Sequence, residues 1–124
     1  MSTERPVYLS LTKFSFPLTA IASITHRITG VLLFAAIAFL LWLLSVALDS
    51  PAGFDRAAEL LDAPLPKLVM LATLAALLFH ILAGVKHLFM DFHVGDSFEA
   101  ARLSAQVVFV LTVIGTILAG VWIW

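Results

Sequence analysis

Residues 28–48 read ITGVLLFAAIAFLLWLLSVAL, 21 consecutive residues without a charge. At 1.5 Å of rise per residue, a helix of about 20 residues spans about 30 Å, the thickness of a bilayer's hydrocarbon core. Backbone polar groups in lipid have no water to bond, so such a run crosses as a helix. Two further stretches behave alike. Residues 68–88 are apolar apart from His80, Lys86, His87 and a few small residues. Residues 105–124 carry no charge and end on Trp122 and Trp124, side chains suited to a membrane–water interface.

The rest of the composition agrees. Of 124 residues, 62% are hydrophobic and 12% charged, about half the charged share of soluble domains. Mean hydropathy is +1.09. A domain this small has too high a surface-to-volume ratio to hide that much apolar surface from water. A soluble domain and a disordered chain are excluded, and a net charge of −1 offers no field for nucleic acid. The absence of cysteine removes disulfides, thiolate metal sites, iron–sulfur clusters and a cysteine nucleophile. The expectation is an all-α membrane protein, a single domain over 1–124. It has an N-terminal segment 1–27 and three transmembrane helices at about 28–48, 68–88 and 105–124.

The connections refine this. The first segment holds Glu4, Arg5, Pro6, Lys13 and Pro17 and lacks the short apolar core and cleavage site of a signal peptide, so it is expected to be retained. Pro51-Ala52-Gly53 reads as a turn, followed by a short surface helix over 54–61. Ser97 is an N-cap for the run into the third span, and His93 is a solvent-facing loop residue. Arg5, Lys13, Arg27, Lys86 and Arg102 fall on one side of a three-span protein, against Arg56 and Lys67 on the other. The positive-inside rule then places the N-terminus and the second connection in the cytoplasm.

Polar residues at membrane depth are expensive, so they are where function is sought. At the entrance to the first span stand Ser23, His26, Arg27, Thr29 and Gly30. Ser23 and Arg27 are one helical turn apart, as are His26 and Gly30. Arg27 reads either as a flank that snorkels to the headgroups or as the binder of an oxygen-rich ligand. In the second span, Gly84, His87 and Asp91 each fall within about 40° of His80 on a helix. His80 lies roughly 9 Å deeper than Lys86. A neutral imidazole there either bonds a neighbouring helix or coordinates a haem iron, with Gly84 leaving room for a flat macrocycle. A two-histidine site could not be completed by His87 on the same rigid helix, and His26 and His93 read as too near the surface. A second ligand from a partner chain is favoured.

These residues resemble a known family, the cytochrome b-type membrane anchor of succinate dehydrogenase (succinate:quinone oxidoreductase, complex II). One family signature is an Arg-Pro start followed at a set distance by Ser-x-x-His-Arg-x-Ser/Thr. It is matched by Arg5-Pro6 and by Ser23-Ile24-Thr25-His26-Arg27-Ile28-Thr29. The other runs His80-Ile81-Leu82-Ala83-Gly84-Val85-Lys86-His87-Leu88-Phe89-Met90-Asp91. The position of Lys86 is usually arginine in the family, and lysine keeps the charge without the bidentate fork. A small residue usually stands where this chain has His93.

The resemblance implies one half of a helical bundle completed by a second small membrane anchor subunit, with haem b shared between them. It implies docking of an iron–sulfur subunit and a flavoprotein subunit on the cytoplasmic face of a bacterial inner membrane, and ubiquinone as electron acceptor. Carried over by residue, His80 is the axial ligand of the haem iron, Ser23 and Arg27 bind the quinone, and His26, Arg27 and His87 hold the haem propionates. No nucleic acid is involved. A quinol:fumarate reductase anchor and a haem-free structural anchor are the alternatives.

Overall fold

The computed structural model describes residues 15–124, and the described residues are almost wholly helical, with no strand among them. The Arg5-Pro6 start of the first signature, and Arg5 and Lys13 of the charge count, lie outside the described residues. Four helices follow in order: α1 (Leu18–Asp49), α2 (Pro51–Asp62), α3 (Pro64–Asp91) and α4 (Phe98–Ile123). Three of them, α1, α3 and α4, are long and apolar enough to cross a membrane.

The helices outrun the apolar stretches at most ends. The largest difference is at α1, which begins at Leu18 rather than near Ile28. A change from apolar to polar side chains does not stop a helix, because its hydrogen bonds are made by the backbone. The breaker is Pro17, extended at φ −63° and ψ 152° in the N-cap position. The entrance cluster from Ser23 to Gly30 therefore stands inside a helix, with His26 about 12 Å from its first residue.

The reading of Pro51-Ala52-Gly53 as a turn is corrected in the same way. These residues are the first turn of α2. Proline is favoured at a helix's first position, where its missing N–H would be unpaired anyway. Ser50 caps the helix, its Oγ accepting from the Gly53 amide at 2.9 Å. Gly53 is required there because a Cβ would collide with the Val46 carbonyl of α1. Ser50→Ala should destabilise α2 by about 1 kcal/mol, which is roughly fivefold faster amide exchange across residues 54–61. Unchanged exchange would remove the cap from the account.

Next to the end of α2, Lys67 of α3 contacts Asp62 at 2.6 Å and lies over the ring of Trp124, which caps the end of α4, 5.9 Å from its centre. The hydrogen bond and then the charge of Lys67 hold the Asp62 carboxyl below its ordinary range. At the opposite end, Ser97 caps α4 as expected, accepting from the Ala100 amide at 3.3 Å. His93 sits in the exposed turn before it, with a left-handed φ of 58°.

Packing is built on small residues. α3 is the central helix, in contact with α1 on one side and α4 on the other. Ala83, Ala101 and Ala105 are buried, and Leu78 presses against Gly115, so the backbones of α3 and α4 approach closely. Phe79 and Val108 complete a narrow seam with Ala83. Outside it, large side chains face outward all along the helices: Phe34 is 80% exposed, Val31 72% and Val121 76%. Among the described residues, no large side chain is fully buried. Such faces need lipid or another helix, the situation expected of a membrane chain that shares its bundle.

Candidate functional site

The two polar clusters meet where α1 crosses α3. His80 and His87 stand on the same stripe of α3, seven residues apart, which is about 10.5 Å along the axis. His26 of α1 inserts between them. Its ring stacks on that of His80, with centres 4.2 Å apart and planes 19° from parallel. On the other side it lies 5.1 Å from the His87 ring. The three imidazoles form a ladder at the end of the bundle that also carries Arg27, Lys86 and Arg102.

His80 is the most constrained of them. Its Nδ1 lies 3.1 Å from the backbone carbonyl of His26 and 3.2 Å from Oγ1 of Thr29. A carbonyl can only accept, so it favours the tautomer with the proton on Nδ1. That leaves Nε2 with an open lone pair, the arrangement of a metal-ligating imidazole whose other nitrogen bonds a carbonyl. Thr29 Oγ1 also donates to the same carbonyl at 2.9 Å, so removal of any one partner leaves no orphaned polar atom. Gly30 shapes the other edge of the ring: a Cβ there would come within 3.2 Å of His80 Cε1.

His87 donates from Nδ1 to the Ala83 carbonyl one turn back, at 2.7 Å, and so also keeps Nε2 for an outside partner. Gly84 lies opposite His26, whose Nε2 is 3.5 Å from where a Cβ would be. The space expected there for a macrocycle is bordered by His26. Lys86 projects from the other face of α3, on the line of Phe79 and Ala83 towards α4, and donates to Met90 Sδ at 3.0 Å. Lys86 therefore takes no part in the imidazole ladder.

The ring of His26 is half-buried against α3. The rings of His26 and His80 lie face to face and do not aim at a common point. Nor does any group of three or more His, Cys, Asp or Glu among the described residues converge on one ion.

Ser23 and Arg27 lie one turn apart on α1, Ser23 half-buried and Arg27 exposed. They stand on the face of α1 adjacent to that of His26, about 60° and 100° round the helix from it, and share its depth. Among the described residues the guanidinium has no ion-pair partner. A planar five-donor fork at an apolar helix surface can bind a carbonyl or carboxylate arriving from outside the chain.

Thr29 and Gly30 were visible in the sequence as members of the entrance cluster, but without a role. Their contacts with His80 join residues about fifty positions apart, and no local pattern signals that.

Residues 1–119 match the family described as the succinate dehydrogenase/fumarate reductase transmembrane subunit. The succinate dehydrogenase cytochrome b556 subunit of Coxiella burnetii is 45% identical over the whole of both chains. The b556 subunit of Paracoccus denitrificans is 38% identical over 83% of this chain and 79% of its own. The mitochondrial cytochrome b560 subunit of Dictyostelium discoideum is 35% identical over 91% of this chain and 60% of its own.

Proposed function

The chain belongs to the succinate dehydrogenase/fumarate reductase transmembrane subunit family, as a cytochrome b anchor of succinate dehydrogenase, and from that premise we propose that it binds haem b and forms part of the ubiquinone-reduction site. The observation that carries the reading is His80, held at Nδ1 by the His26 carbonyl and the Thr29 hydroxyl with Nε2 left for a metal. A haem bound there would supply a one-electron store within the membrane domain.

His80 would hold the haem iron from this chain, and a second ligand would come from another small anchor whose helices would cover the exposed apolar faces of α1, α3 and α4. His26 and His87 lie beside His80 with ring nitrogens available to propionates, and Arg27 adds a permanent positive charge at the same depth. These residues fit the group by donor chemistry: one neutral imidazole for iron, and for carboxylates the Arg27 guanidinium, with His26 and His87 as donors in their imidazolium form.

At the quinone, Arg27 and Ser23 address one carbonyl oxygen. Ubiquinone takes two electrons and two protons to become ubiquinol, and negative charge grows on that oxygen before the proton arrives. The guanidinium stabilises this charge in a site of low dielectric. The Ser23 hydroxyl donates to the same oxygen and can pass it a proton. The electrons come from an iron–sulfur subunit docked with its flavoprotein on the cytoplasmic side, where the lysine and arginine count places the N-terminus of α1. The absence of cysteine fits this division of labour.

Deleting this chain tests the reading. Succinate-oxidising activity should move from the membrane to the soluble fraction, and the haem b bands of the reduced-minus-oxidised spectrum of the complex should disappear. An intact complex purified without haem would leave only a structural anchor.

A further inference from the structure

Thr29 binds neither haem nor quinone in the roles above, yet it is 7% exposed, one of few buried polar side chains among the described residues. A threonine in an apolar helix ordinarily satisfies its hydroxyl by bonding back to a carbonyl of the preceding turn. Thr29 does this with His26, and the same Oγ1 also reaches 3.2 Å from His80 Nδ1 on another helix. The N–H of His80 thus faces two oxygens from positions three apart on one turn, the His26 carbonyl at 3.1 Å and the Thr29 hydroxyl. One acceptor fixes the direction of an N–H but lets the ring pivot about it. Two acceptors at an angle fix the ring plane as well. The third constraint is Gly30, whose backbone gives His80 Cε1 just enough room.

We infer that Thr29 is a positioning residue for the haem: with the His26 carbonyl, its hydroxyl clamps Nδ1–H of His80 and so sets the plane and aim of the coordinating imidazole. This rests on the reading of His80 as the axial ligand. Such outer partners orient a ligand and tune its basicity, and losing one weakens metal binding by about tenfold or more.

The test uses the purified, haem-loaded complex with Thr29→Val, which keeps the shape and removes the hydroxyl, and Thr29→Ser, which keeps the hydroxyl. The g-anisotropy of low-spin ferric haem follows the planes of its axial imidazoles. Thr29→Val should shift or broaden the largest g-value, change the haem midpoint potential and lower haem retention about tenfold. Thr29→Ser should restore all three. A Thr29→Val complex with the wild-type g-values and potential would overturn the inference. So would equal loss of haem in both variants, which would assign the position to packing. A wild-type complex without haem would sink the parent reading instead, and is seen before any variant is made.

Discussion

His80→Ala is expected to strip the haem from the complex, with the reduced α-band falling at least tenfold while the subunits stay assembled. Both halves of that expectation have a structural basis. Haem loss follows from removing the imidazole whose Nε2 is left open by the bonds at Nδ1. Survival of the bundle follows from what the substitution leaves behind. Thr29 still donates to the His26 carbonyl, so no polar group is orphaned. The ring is only half-buried, which limits the cavity, and the α3–α4 seam of Phe79, Ala83 and Val108 is untouched. Succinate oxidation by an artificial soluble acceptor should remain close to wild type. A normal bis-histidine spectrum at full haem content in this variant would show that another residue holds the iron.

The spans and the site were legible to different depths. The three long helices could be read from apolar runs, because a bilayer imposes its thickness on side-chain polarity. Helix ends could not: α1 continues through the polar stretch before Ile28 until Pro17 removes a backbone donor. Pro51 was misread because proline signals both a turn and a helix start, and only the Ser50 cap and the pressure of Gly53 on Val46 decide between them. In the site, the stripe of His80, Gly84 and His87 follows from helical arithmetic on one element. That His26 lies between the two imidazoles of α3 is a property of how α1 crosses α3. The family resemblance could attach roles to single residues, yet it gave Thr29 a place in a signature without a role and Gly30 none, because their partner is reached only through the fold.

Arg27→Ala should reduce ubiquinone reduction by about a hundredfold, the usual scale for losing one donor to a developing oxyanion. Succinate oxidation by a soluble acceptor should be spared. The separation is clean because Arg27 is exposed, so its removal leaves no buried cavity. Its removal therefore reports on a ligand rather than on stability. Arg27→Lys separates charge from geometry: a lysine keeps the positive charge but presents it as a point without the planar fork. Intermediate rates in Arg27→Lys would mean that both the charge and the bidentate bond act on the quinone oxygen. Ser23→Ala, one turn earlier on the same face, should cost less, since a neutral hydroxyl stabilises an anion less than a guanidinium does. If succinate oxidation fell as far as quinone reduction in Arg27→Ala, the residue would be acting in assembly. Unchanged quinone reduction would return Arg27 to a headgroup-facing flank, the other role its position beside 21 uncharged residues allows.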